Sequence, residues 1–403
     1  MRFTVTVMLI LCLYSFISCT MATSLNNPLL AVSGSIENFS VNFFKTVAHN
    51  SNYENLISSP ASAHIILSMA AYGANDKTAL QMQKILHLPN KKSDGQQGFQ
   101  TLLEHLNVSN KDVTFNMASR IYIANKYQLK NKYKEMINNY FFSNVCELDV
   151  TTPQKSAQLI NAWIEKQTSN KIHDIVADGD ITANTYMFLL NAIYFKGNWK
   201  KSFLEKSTEN KSFYISKKIK KQVPTMFNYD EYVNGNLPDL KAQFIVLPYR
   251  NSDLSMVIII PNRIEGLNNL IRNYNSLNYT RLDKDGIFEK VYVYLPKFKF
   301  ESTIHLKEPL KQLGLTEMFT EKANFSGISN NPLLVNSIIQ KAFIDVNEEG
   351  TEAAASTVSM MVPYSYNSNP RTIIVNRPFL FQIIDTRNKL TLFIGAVTDP
   401  EKH

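Results

Sequence analysis

The chain has 403 residues, 44% hydrophobic and 19% charged, with 42 lysines and arginines against 34 acids for a formal charge of +8. This is ordinary globular composition, which excludes a disordered or fibrous chain and supplies enough apolar side chains for a large core. A basic balance suits sulfated polysaccharide, nucleic acid or an acidic protein, so charge alone does not choose a partner.

Residues 1–22 read as a secretory signal. Arg2 supplies the positive end, residues 7–17 an apolar stretch, and Thr20-Met21-Ala22 a small-residue exit, with cleavage expected within 18–22. The apolar stretch falls short of the roughly 20 residues that span a bilayer. Cys12 and Cys19 leave with it, so the mature chain keeps Cys146 alone and must be held by its core. Cys146 lies in Asn144-Val145-Cys146-Glu147-Leu148, where alternation suits a quiet, half-buried strand thiol. A secreted, extracellular product is expected, and Asn38, Asn107, Asn210, Asn278 and Asn324 begin sequons that make them candidate glycosylation sites. The length would fit about two or three average domains. No internal repeat, glycine-serine tract or proline-rich hinge divides it, so residues 23–403 are expected to form one domain.

Helical spacing appears first at 38–49, carried by Phe39, Phe43 and Val47, and then at 59–71 after a Ser-Pro start. Further helices are expected at 76–88, 98–106 and 156–168, with a strand at 120–124 between the last two. Strand patterns then dominate, at 187–195, 244–248, 256–260, 291–295, 338–346, 378–384 and 389–397. Helices first and strands afterwards predict a mixed α+β fold rather than a doubly wound sheet.

No GxSxG elbow, HExxH helix, phosphate-cradling glycine loop or CxxC pair occurs, and the seven histidines are scattered. Asp178-Gly179-Asp180 lacks the liganding loop that calcium needs and reads as a surface turn. The chain is therefore not expected to be an enzyme, and neither a metal nor a cofactor is expected.

Residues 344–357 run from an apolar strand through Glu348, Glu349 and Gly350 into Thr351, Glu352, Ala353, Ala354, Ala355, Ser356 and Thr357. Locally, the alanines could also start a helix capped by Thr351. Residues 358–370 follow as a polar, turn-rich stretch, and a long loop beside a small-residue hinge is uncommon in a compact domain unless it is functional.

This stretch resembles the hinge and reactive-centre loop of the serpin family, and the similarity extends over nearly the whole mature chain. Asn55-Leu56-Ile57-Ser58-Ser59-Pro60-Ala61-Ser62 resembles the family's shutter helix opening. Asn191-Ala192-Ile193-Tyr194-Phe195-Lys196-Gly197-Asn198-Trp199 resembles its central strand and breach tryptophan. Leu295-Pro296-Lys297-Phe298, Asn324-Phe325-Ser326-Gly327, Asn376-Arg377-Pro378-Phe379-Leu380-Phe381 and Phe393-Ile394-Gly395-Ala396-Val397-Thr398-Asp399-Pro400 follow in family order. The resemblance implies helices packed around three β-sheets, with a loop over about 348–371 held outside them. It also implies a protease inhibitor that is cleaved in that loop, traps the enzyme as an acyl-enzyme in a covalent 1:1 complex, and inserts the cleaved loop into a sheet.

The sequence meets the physical demands of that event. An inserted strand turns alternate side chains to the core, and from Thr351 that set is Thr351, Ala353, Ala355, Thr357, Ser359 and Met361. All are uncharged, while Glu352 falls on the other face. No proline interrupts 351–362, where a central strand would not tolerate one, and Gly350 gives the hinge backbone freedom.

In the family's inhibitors the bait lies at a fixed count past the hinge glycine, which from Gly350 selects Tyr364, with Ser365 after the scissile bond. An aromatic bait suits the hydrophobic primary pocket of chymotrypsin, chymase or cathepsin G-like proteases, whereas trypsin-like enzymes want Arg or Lys. Cleavage at Met361 or Val362 by elastase, or at Tyr366, is the alternative, as is a non-inhibitory carrier or storage role.

The family often carries a histidine before Lys341-Ala342, and this chain has Gln340, which can still donate and accept but cannot switch by protonation. His64 reads as a structural histidine. By analogy Glu348 pairs with Lys297 near the breach, a partly exposed pair contributing about 1 kcal/mol or less. The helix that binds heparin in some relatives corresponds to 98–106, which holds no lysine or arginine. Positive charge gathers at Lys126, Lys130, Lys132 and Lys134, and at Lys217, Lys218, Lys220 and Lys221. These read first as solvated faces, with a sulfated glycosaminoglycan as a secondary partner. A monomer that binds neither nucleic acid nor membrane is expected.

Overall fold

In the computed structural model, capping chemistry sets where the first helices begin, and residues 27–51, 54–106, 110–276, 279–351 and 370–402 are described. Asn27 accepts from the Leu29 amide and Pro28 takes the first helical position, so α1 (Pro28–Asn50) starts well before residue 38. The small polar run Ser33-Gly34-Ser35 had masked its first turns. After β1 (Leu56–Ser58), the Ser59 side chain accepts from the Ser62 amide and opens α2 (Pro60–Ala71), every residue of which is buried. A helix buried on every side belongs in the centre of a large domain.

Then come α3 (Asp76–Ile85), α4 (Lys92–Leu106), β2 (Val113–Ala124), α5 (Asn131–Phe141), β3 (Val145–Leu148), α6 (Pro153–Gln167) and β4 (Met187–Asn198). The middle is β5 (Glu209–Tyr214), β6 (Lys220–Leu237), β7 (Ala242–Pro248), β8 (Leu254–Pro261), α7 (Leu267–Arg272) and α8 (Tyr279–Asp285). The chain closes with β9 (Ile287–Pro296), β10 (Phe298–His305), α9 (Lys307–Gln312), β11 (Val335–Val346), β12 (Gly350–Thr351), β13 (Arg371–Ile374), β14 (Phe379–Asp385) and β15 (Leu390–Val397).

The strands form a nine-stranded sheet, β1-β15-β14-β8-β7-β6-β9-β13 with β5 on β6, and a six-stranded sheet, β10-β11-β12-β4-β2-β3. Two sheets stand where three were expected: the 18-residue β6 pairs with β5 through its first residues and with β7 through its last, so strands at both of its ends share one hydrogen-bonded ladder. Strand β4 shows how the layers stack. Met187, Leu189, Ile193 and Phe195 point into the large core, while Phe188, Leu190, Ala192 and Tyr194 join a smaller core on the opposite face. That smaller core is covered by α6 through Ala157, Ile160 and Ile164, and Trp163 of α6 lies 3.6 Å beneath the Arg120 guanidinium of β2. With both faces covered, β4 is buried at nearly every position.

Several expected boundaries move. The helix expected at 98–106 begins at Lys92, whose Nζ donates to the Tyr72 carbonyl at 2.6 Å, so the longer helix adds one lysine while 98–106 still holds none. Arg371, placed at the end of the exposed loop, already belongs to β13. Asp178-Gly179-Asp180 is a turn, with Gly179 at φ +91° and Asp180 accepting from the Ala177 amide. Cys146 is a half-buried free thiol in β3.

Candidate functional site: the seam between the two central strands

Strands β11 and β4 run parallel and are paired from Val335 with Met187 up to Phe343 with Tyr194. Above that point they part, and β12 lies between them, antiparallel to both: Thr351 pairs with Val346 and Gly197, and Gly350 with Asn198. Two features of the sequence put it there. Asn347 makes a tight turn, its Oδ1 accepting from the Glu349 and Gly350 amides and its own amide donating to the Gly350 carbonyl at 2.9 Å. Gly350 then passes so close to β4 that a Cβ would lie 2.0 Å from the Gly197 carbonyl oxygen, which only glycine permits.

The mouth of the seam is held by side chains. Trp199, 1% exposed, donates from Nε1 to the Asn347 carbonyl at 2.9 Å, and its amide donates to the Glu349 carbonyl at 2.8 Å. It stacks on Tyr249 at 4.8 Å, and the Tyr249 hydroxyl lies 2.8 Å from Oγ1 of Thr351, which is fully buried. Glu348 is only 5% exposed and meets Lys297 Nζ at 2.7 Å and the Thr208 hydroxyl at 2.7 Å. Burial pushes its carboxyl up, but the bonds from Lys297 and Thr208 outweigh that and leave it below the usual carboxylate value. The acid is thus buried rather than partly exposed; Lys297 is the half that faces water.

Lower down, Gln340 and Asn191 stand opposite each other in register across β11 and β4. Gln340 Nε2 donates to Asn191 Oδ1 at 2.9 Å, to the Ser59 carbonyl at 2.9 Å and to Ser62 Oγ at 3.3 Å, while Oε1 accepts from the Ser59 amide at 2.9 Å. Ser62 Oγ donates to Asn191 Oδ1 at 2.7 Å, and Asn191 Nδ2 donates to Ser119 Oγ on β2. The Ser59 hydroxyl donates to the Leu392 carbonyl of β15. This buried set ties the start of α2 to both central strands and resists their separation. His64 belongs elsewhere: it bonds the Leu86 carbonyl and Ser68, and burial lowers its pKa to about 4.

The structure thus brings together Glu348, Lys297, Gly350, Thr351 and Trp199 at the mouth and Ser59, Ser62, Asn191 and Gln340 below it. Glu352, Ala353, Ala354, Ala355, Ser356, Thr357, Tyr364 and Ser365 lie outside the described residues, as do residues 1–22, Asn107 and Asn278. Sequence reasoning missed Tyr249, Thr208, Asn347 and Ser119. Asn347 could have been found from Asn-Glu-Glu-Gly as a turn; Thr208 carries no signal at all. Of the described sequon asparagines, Asn210 is exposed on β5, Asn38 is exposed in mid-helix, and the Asn324 amide donates to Asp76.

The family model described as Serpin (serine protease inhibitor) matches residues 34–400. Ipis-1 of Ixodes persulcatus is 34% identical, with 92% of this chain and 99% of that protein covered. Leukocyte elastase inhibitor of Bos taurus is 32% identical, with 90% and 97% covered. Among solved structures, Serpin48 of the insect Tenebrio molitor superposes with a TM-score of 0.83 at 30% identity, over 91% of this chain and 98% of that one.

Proposed function

The chain belongs to the serpin family, and from that premise we propose that it is a secreted suicide-substrate inhibitor of chymotrypsin-like serine proteases, with Tyr364 as bait and Ser365 beyond the scissile bond. The observation that carries this reading is β12: two residues of the hinge already form a strand between β11 and β4. If cleavage frees the chain beyond Thr351 and the register continues, Ala353 meets Phe195, Ala355 meets Ile193, Ser359 meets Leu189 and Met361 reaches Met187, where β4 begins. Thr357 arrives between Asn191 and Gln340, a hydroxyl able to bond both where they now bond each other. One parallel pairing becomes two antiparallel ones, each with better hydrogen-bond geometry. Thr351 is buried against Tyr249, on the core face that the other small residues of its parity would follow.

The partner is a protease held in a covalent 1:1 complex with a monomeric inhibitor, and the chain itself is not a catalyst. Among the described residues no helix is long and apolar enough to cross a membrane. A sulfated polysaccharide is a second candidate partner. The mature chain is incubated with chymotrypsin, elastase and trypsin and resolved on denaturing gels. A band near the summed masses with chymotrypsin, together with a released peptide starting at Ser365, is the expected result. Cleavage without that band would place the chain among carriers or storage proteins, and a band with elastase alone would move the bait to Met361 or Val362.

A further inference from the structure

The β5–β6 turn, the turn after β8 and the segment between β13 and β14 meet in an open cleft of about 660 Å³, walled by Tyr214, Lys217, Arg263, Glu265 and Arg377. This lies within the size range of ligand sites, about 300–1,000 Å³. Arg377 is half-buried there. Its Nε donates to Asn376 Oδ1 at 3.0 Å and its Nη1 to the Asn262 carbonyl at 2.8 Å. Both acceptors are neutral, and no carboxylate pairs with this guanidinium among the described residues. A guanidinium does not shed its proton, so a partly desolvated positive charge is left uncompensated.

The surroundings add charge of the same sign. Arg263 is exposed at the cleft wall, and Lys218 and Lys220 are exposed just beyond it; none has an ion pair among the described residues. Ser216 Oγ accepts from the Lys218 and Ile219 amides and fixes the turn that carries them. The one acid, Glu265, is matched by Lys217 at 3.1 Å, and both are exposed enough for that pair to exchange readily. The other lysine cluster differs: Lys126 and Lys130 are bound to the Ala183 and Ser326 carbonyls, and Lys134 faces Glu147.

We infer that this cleft binds a sulfated saccharide, with Arg377 and Arg263 taking sulfate oxygens and Lys218 and Lys220 extending the positive track along the chain. Guanidinium groups match such oxygens in pairs. Single-stranded nucleic acid would want successive aromatic platforms, and this cleft offers one ring, Tyr214. The inference rests on the polysaccharide partner named above and not on protease trapping.

The test is salt elution of the full mature chain from an immobilised heparin-type polysaccharide, with Arg263→Ser, Lys218→Ser and Arg377→Gln variants. The unmodified chain should stay bound above physiological ionic strength, and each replacement should lower the slope of log affinity against log salt by about one. Arg263→Ser and Lys218→Ser keep the test decisive if Arg377→Gln folds poorly, since both side chains are exposed. Lys130→Ser with Lys134→Ser should leave the slope unchanged, and all variants should trap protease as before. Elution below physiological salt, sensitivity confined to the Lys130/Lys134 pair, or equal competition by single-stranded DNA would each overturn the assignment.

Discussion

Replacing Gln340 with leucine isolates the lower latch. Gln340 is fully buried and makes four hydrogen bonds, one across the seam to Asn191 and three to Ser59 and Ser62 at the start of α2. In the leucine variant the Ser59 carbonyl keeps the bond from the Ala63 amide, and Asn191 Oδ1 keeps its own from the Ser62 hydroxyl. The Ser59 amide loses its side-chain acceptor and has nothing in reach. One orphaned buried donor costs about 1–3 kcal/mol, and the lost neutral bonds about 1 kcal/mol each, so roughly 3 kcal/mol is expected. For a domain of this size that lowers Tm by about 3–6 °C. The strands should also part more readily, which native gels would show as faster conversion to inactive or polymeric forms on mild heating. Gln340→His retains a donor and should lose less at neutral pH, then lose more as pH falls and the buried ring is asked to take a charge. An unchanged Tm and conversion rate in the leucine variant would refute the idea that this set holds the seam, and so would an equal loss in both variants.

Thr351→Arg places a guanidinium where Thr351 is fully buried beside Tyr249, at a cost of several kcal/mol, so the hinge should stay out of the sheet. Chymotrypsin should then cut the loop without forming a gel-stable complex. Because the folded pKa of Glu348 lies below its unfolded value of 4.5, its contribution is fully present above that pH and is lost as pH falls through the folded value. Lys297 is two-fifths exposed, so the contribution is about 1 kcal/mol or less, and Glu348→Gln should flatten the acid limb of a Tm–pH curve by that amount. His64 has a folded pKa of about 4 against 6.5 unfolded, so the unfolded chain binds the proton first and stability falls by roughly 3 kcal/mol between pH 6.5 and 4. Urea midpoints measured across that range should vary less in a His64→Gln variant.

The later strands were easy to read because both faces of each are apolar, as in β14 and β15, and α2 was marked by its Ser-Pro cap. Strand β6 was not legible. Its first residues are Lys220-Lys221-Gln222, Pro224 interrupts it, and Gly235 sits where a Cβ would strike the Phe244 ring, so neither alternation nor β-propensity shows. Helix α5 hid in the same way, with buried Tyr133, Ile137 and Phe141 diluted by Asn and Lys on its open face. At the site, Trp199, Gly350 and Gln340 could be named from motif resemblance. Tyr249 could not, since its role arises from a meeting of β7's end with the hinge, 102 residues apart in sequence, which no local pattern encodes.

The chain has two tryptophans, and both sit on parts that must shift if the central sheet opens. Trp199 is stacked on Tyr249 and bonded to the hinge turn; Trp163 rides on α6 beneath Arg120, over the face of the sheet that an inserting strand would widen. The molecule therefore carries its own pair of optical probes, one at the entrance and one on the cover. Ultraviolet emission from each, separated by Trp163→Phe and Trp199→Phe variants, would time the two movements against each other without any attached dye.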